Sequence, residues 1–105
     1  YGDTPLHSAA KFGHLNIVQV LLGRKAIDPY KTNQYGDTLL HTAGRGGHLN
    51  LVQLLLERTT IDPNNENQDG NTVLGIVTRI GDINIVKWLL ERSTIDPDKK
   101  NKVHV

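Results

Sequence analysis

Five histidines lie along a cysteine-free chain of 105 residues, and their placement is the first test for chemistry. His7 and His41 each precede a hydroxyl residue, Ser8 and Thr42, which sets a base beside a nucleophile in sequence. Neighbours on a helix point about 100° apart, however, and no carboxylate stands in register to orient either imidazole. No His-Glu-x-x-His motif or i, i+4 histidine pair occurs, and thiolate ligands are absent, so we expect neither a metal site nor a cofactor. Gly44 to Gly47 reads Gly-Arg-Gly-Gly, without the lysine or the spacing of a phosphate-binding loop. Lys99, Lys100 and Lys102 are interspersed with Asp96 and Asp98 and have no aromatic neighbours for base stacking, which describes a solvated end rather than a nucleic-acid surface. We expect no enzyme and no nucleic-acid partner.

Bulk properties point the same way. The formal charge is +1 and the pI about 8.3, so no global field selects a polyanion or a membrane surface. Apolar runs are far too short to span a bilayer, and no leader precedes the first motif, so the expected setting is soluble and intracellular, cytoplasmic or nuclear. Because the chain starts inside its own pattern at Tyr1 and contains no Met, we expect an excised or truncated piece. A hydrophobic content of 37% is low for a single spherical core and suits a thin, elongated one.

The elements that carry these residues recur. Tyr-Gly-Asp-Thr opens at Tyr1 and again at Tyr35, and a degraded Asp-Gly-Asn-Thr begins at Asp69, a period of 34 residues. Thr4 and Pro5 form a helix start, the hydroxyl accepting a free backbone N–H while proline fills the first helical position, and Thr38 and Thr72 do the same without the proline. The short helix that follows stops at Gly13, matched by Gly47 and Gly81. A second helix carries Leu15, Val18, Leu21 and Leu22 as one apolar stripe, its start capped by His14, His48 and Asp82 in successive copies. Ile27-Asp28-Pro29 then ends the helix and leads into an extended arm. Two short helices with one apolar face each bury it only by stacking on their neighbours. The fold class expected is all-α, a solenoid of stacked helix–turn–helix units joined by β-hairpin-like loops. We read one domain over 1–105, with copies at 1–34, 35–68 and 69–102 and a short tail at 103–105.

Thr4, Pro5, Leu6, His7, Ala9, Ala10, Gly13, His14, Ile17, Val18, Leu21 and Leu22 fall in the register of the ankyrin repeat, which the chain resembles over essentially residues 1 to 102. The copies are one residue longer than the common repeat, and Lys25, Thr59 and Ser93 stand where a glycine usually ends the second helix, so a longer helix or a shifted arm is expected. In the third copy Gly75 replaces the motif histidine and Val77-Thr78 replaces Ala-Ala, which predicts the softest repeat. The resemblance implies that His7 and His41 tie the arm to the helix.

The resemblance also implies that partners dock on the concave side, formed by the arm tips and the exposed face of each first helix. On that side the skeleton stays nearly constant while the surface residues vary. The protein-binding candidates are Tyr1, Asp3, Lys11, Phe12, Tyr35, Asp37, Thr42, Arg45, Asp69, Asn71, Arg79 and Ile80, with Ile76 also placed on the exposed face. Lys11, Arg45 and Arg79 recur once per copy and line up as a cationic row suited to an acidic peptide. Asp3 and Asp37 brace the turns, and Trp88 packs between repeats. The expected function is a protein–protein interaction scaffold binding a protein or peptide, itself a monomer and without a membrane partner. The alternatives are a spacer within a longer array and a targeting module of a larger multidomain protein.

Overall fold

The computed structural model describes residues 3–92, which form six helices and, among those residues, no strand. They come in pairs: α1 (Pro5–Lys11) with α2 (Leu15–Leu22), α3 (Leu39–Arg45) with α4 (Leu49–Arg58), and α5 (Val73–Ile80) with α6 (Ile83–Leu90). The middle first-helix α3 packs against both α1 and α5, so the pairs stack in chain order, and the molecule measures 39 × 27 × 21 Å. The cluster at 99–102 and the tail lie outside the described residues, as does Tyr1.

Each first helix starts where the threonines direct. Thr4, Thr38 and Thr72 sit in extended backbone, and their hydroxyls accept the N–H of His7, His41 and Gly75, a cap whose removal typically costs about 1 kcal/mol. Gly13, Gly47 and Gly81 take φ values of 72°, 77° and 88°, the left-handed region in which the chain turns into the second helix without a Cβ clash.

The second helices depart from expectation at their starts. Asp82 does cap α6, accepting from the Ile85 N–H, but neither His14 nor His48 makes a side-chain capping bond. The reason is visible at His48, whose Nε2 donates instead to the Lys11 carbonyl of the preceding repeat at 3.0 Å. The ring lies over Gly13, where a Cβ would come within 2.6 Å of His48 Cε1. Gly13 is therefore needed for contact as well as for its turn. α4 runs to Arg58, two residues beyond the length of its counterparts, while α2 and α6 do not. Asp28 and Asp62 then close the arm's first turn, each carboxylate accepting the N–H two residues on.

The core is a row of side chains from successive pairs, including Leu6, Val18, Leu40, Val52, Leu55 and Leu89, all fully buried. Trp88 is part-buried against this core, with the Arg92 guanidinium stacked 3.9 Å from the ring centroid.

Two imidazoles fasten the stack. His7 Nε2 donates to the Asp37 carbonyl at 2.9 Å and His41 Nε2 to the Asn71 carbonyl at 2.8 Å, each thirty residues along the chain. At His41 the opposite nitrogen, Nδ1, accepts the Thr38 N–H at 3.0 Å. These partners define the neutral Nε2–H tautomer, because a proton on Nδ1 would face another donor. Burial holds the His41 pKa below 6.5, against the opposing pull of the Asn71 carbonyl and the Asp37 charge.

Protonation thus favours the unfolded chain, whose His41 titrates at the ordinary value. The His41 contribution is fully present above about pH 6.5 and is lost progressively as the pH falls below it. Urea midpoints measured between pH 8 and pH 5 should decline below that point, with a shallower decline for His41→Gln. Equal slopes for the two chains would refute the assignment.

Candidate concave binding site

The arm tip that enters the site is organised by one asparagine. Asn33 Oδ1 accepts the N–H groups of Tyr35 and Asp37 at 2.9 and 3.0 Å, while the Asn33 N–H donates to the Asp37 carbonyl. Asn67 repeats this pattern around Asp69 and Asn71. The remaining amide of each reaches back one repeat: Asn33 Nδ2 donates to Asp3 Oδ1 at 3.2 Å, and Asn67 Nδ2 to Asp37 Oδ1 at 2.8 Å. A backbone bond from Gln68 N–H to the Tyr35 carbonyl joins the second and third tips. The tips are hydrogen-bonded turns docked on one another, a rigid edge without a strand ladder.

Asp37 sits at the centre of this edge and is 1% exposed. Its Oδ2 meets Arg45 Nη1 at 2.7 Å, so that one carboxylate takes the Asn67 amide on one oxygen and a guanidinium on the other. Burial by itself would raise the Asp37 pKa. The hydrogen bonds from Arg45 and Asn67 and the Arg45 charge outweigh it and hold the carboxyl below 3.8. The bracing expected of Asp37 is thus observed, and its side chain is enclosed rather than exposed at the tip.

Asn71 stands at the same repeat position and is also buried, as are Thr42 and Ile76. Thr42 turns its hydroxyl onto the Thr38 carbonyl, and Ile76 joins the inner face of α5. These three, too, are corrected from surface to interior. Arg45 keeps a 47% exposed side chain, but its charge is matched by Asp37, so the cationic row is not uniform.

Between the first two repeats these elements enclose a cleft of about 420 Å³ lined by Asp3, Lys11, Phe12, Asn33, Tyr35, Asp37, Thr42, Arg45 and Gly46. Most of the candidates in the first two repeats are therefore brought together. Arg79, Ile80, Asp69 and Asn71 belong to the third repeat and do not line it. Phe12 and Tyr35 are 63% and 59% exposed, and Lys11 Nζ lies 5.6 Å from the Phe12 ring centroid. Asn33 is the contributor that sequence reasoning missed. Its signal was present, since an asparagine stands at the corresponding place in every copy, at Asn33, Asn67 and Asn101.

The cleft presents aromatic surface beside fixed polar groups, and no histidine is among its lining residues. Among the described residues there is no cluster of three or more His, Cys, Asp or Glu suited to a metal, and no helix long and apolar enough to cross a membrane.

Removing the two halves of the ion pair should have unequal effects. Asp37→Ala leaves the buried Asn67 amide without an acceptor and should cost about 2–3 kcal/mol. Arg45→Ala takes the counterion from a carboxylate that is 1% exposed but lets water reach it through the space of a side chain already 47% exposed, and should cost less, about 1–2 kcal/mol. Denaturant unfolding of both variants checks the order, and a larger loss for Arg45→Ala would contradict the geometry.

A family model for ankyrin repeats, in three copies, matches residues 6–101. No curated protein sequence matches the chain. Among solved structures, a chain from the complex of the Bd0816 predatory endopeptidase of Bdellovibrio bacteriovorus with immunity protein Bd3460 superposes with a TM-score of 0.77 and 26% sequence identity. The match covers 87% of the present chain and 47% of that one, so the present chain spans about half its length. Ankyrin repeats generally mediate protein–protein interaction. With its three stacked helix pairs, threonine caps and imidazole ties matched in sequence across nearly its whole length, this chain belongs to the ankyrin repeat family.

Proposed function

We propose that this chain is a non-enzymatic binding module that holds a segment of a partner protein in the concave cleft between its first two repeats. The cleft itself carries the reading: a rigid floor of buried, mutually bonded polar groups with two half-bare aromatic rings at its rim. Tyr and Phe offer large contact area at small entropic cost. A floor ordered in advance by Asp37, Asn67 and Arg45 loses little further freedom on association. The solved neighbour comes from a complex of two proteins, which favours the same class of partner here.

A second reading, a unit within a longer array, has one observation in its favour. Ile17 is 50% exposed, whereas its counterparts Leu51 and Ile85 are 1% and 0% exposed beneath the preceding repeat. That face of the first pair would accept another stacked element.

Peptides selected from a displayed random library on the immobilised chain should weaken about tenfold or more on Phe12→Ser or Tyr35→Ser, the loss expected of an interface anchor. The stability of the folded variants should change by no more than about 0.5 kcal/mol, as both side chains are exposed. Binding measured by fluorescence anisotropy that is indifferent to both substitutions would remove the cleft from consideration and favour the second reading.

A further inference from the structure

We infer that the segment bound on the concave face is an extended acidic peptide, its carboxylates taken by Lys11 and Arg79 and an apolar side chain by Phe12 and Tyr35. The inference rests on the cleft reading above and adds the partner's chemistry. Each first helix carries one basic residue in its last turn, Lys11, Arg45 or Arg79. The carbonyl end of a helix favours a cation, which accounts for the sign at these positions. It does not account for what becomes of the three charges, and there the repeats differ.

In the second repeat the charge is satisfied internally, because Arg45 lies 2.7 Å from the buried Asp37 carboxylate. In the first repeat the counterpart acid, Asp3, is exposed and held by Asn33, and no carboxylate of the described residues lies within ion-pair distance of Lys11. In the third repeat the acid itself is missing. Asn71 occupies its place, buried and neutral, its Oδ1 without a hydrogen-bond donor among the described residues. Arg79 is exposed and forms no ion pair among those residues. Among the described residues the middle cation is neutralised and the outer two have no carboxylate partner. The chain as a whole carries only +1, so this preference belongs to the face and not to a global field.

The spacing describes the ligand further. Helices pack about 8–10 Å apart, so two steps of the stack separate the outer cations by roughly 16–20 Å. An extended peptide rises about 3.3 Å per residue, which places its two acidic residues about five or six positions apart. Near the Lys11 end, the cleft between Phe12 and Tyr35 takes an aromatic or aliphatic side chain. Arginine's planar fork suits a carboxylate at the other end.

A random peptide library panned on the whole chain, and in parallel on Arg79→Gln and Asn71→Asp after circular dichroism shows both folded, tests this. The expected result on the native chain is enrichment of paired Asp or Glu at that spacing beside an apolar residue. Affinity should fall up to about fivefold on Arg79→Gln, the range of one exposed ion pair, with a weaker dependence on salt. Asn71→Asp should weaken the same peptides similarly, because it gives Arg79 the internal carboxylate that Arg45 already has while removing nothing the peptide touches. Peptides that depend on Phe12 and Tyr35 but lack acidic pairs, or are indifferent to both substitutions, overturn the acidic partner and leave the cleft reading intact. Failure to select any peptide that depends on Phe12 and Tyr35 overturns both.

Discussion

A neutral imidazole that bonds backward to its own helix cap and forward to the next repeat's turn is the interaction on which the rest of this structure depends. At His41 one ring nitrogen accepts from the Thr38 backbone and the other donates to the Asn71 carbonyl, and His7 makes the same forward bond to Asp37. One buried side chain thereby sets where a helix begins and where the following arm sits. Helices of seven to ten residues are too short to persist alone in water, so this coupling and the shared apolar row turn six marginal helices into one stack.

The concave face follows from that constraint. Once each turn is tied to the helix before it, the tips come into contact, and their polar side chains must either pair with one another or face water. Asn33 and Asn67 each bond their own turn and an acid one repeat back. This leaves Asp37 enclosed with Arg45 as its counterion, and the low dielectric that makes an unpaired carboxylate costly also makes this pairing well determined. What reaches solvent is the remainder: aromatic rings at Phe12 and Tyr35 and the basic helix ends. The order of this surface therefore originates in polar groups bonded to one another across the repeats.

Much of the architecture is legible from local chemistry. The three threonine caps, the left-handed glycines and the pairing of helices need only a residue and its near neighbours, so a repeated pattern states them repeatedly. The resemblance to ankyrin repeats supplied the role of His7 and His41 and the choice of the concave side, and the chain carries both imidazoles in the places that role requires. Local reasoning failed where the deciding partner lies about thirty residues away. His48 has the position of a helix cap, yet its ring bonds to Lys11 across the repeat boundary. Asp37, Asn71, Thr42 and Ile76 occupy variable positions near the tips and inner helices, where variability suggested exposure, and packing against the next pair buries them.

By itself, then, the sequence determined the period, the starts of the first helices, the turns and the need to stack, because threonine capping and left-handed geometry are decided within four residues and an apolar stripe must find a neighbour. Only the tertiary structure decided which of two chemically similar polar residues turns inward. Asp3 and Asp37 share a motif position, but one is exposed while the other is enclosed by an amide and a guanidinium. The difference arises because a side chain's solvation depends on what the adjoining repeat places above it, a contact that spacing along the chain does not encode.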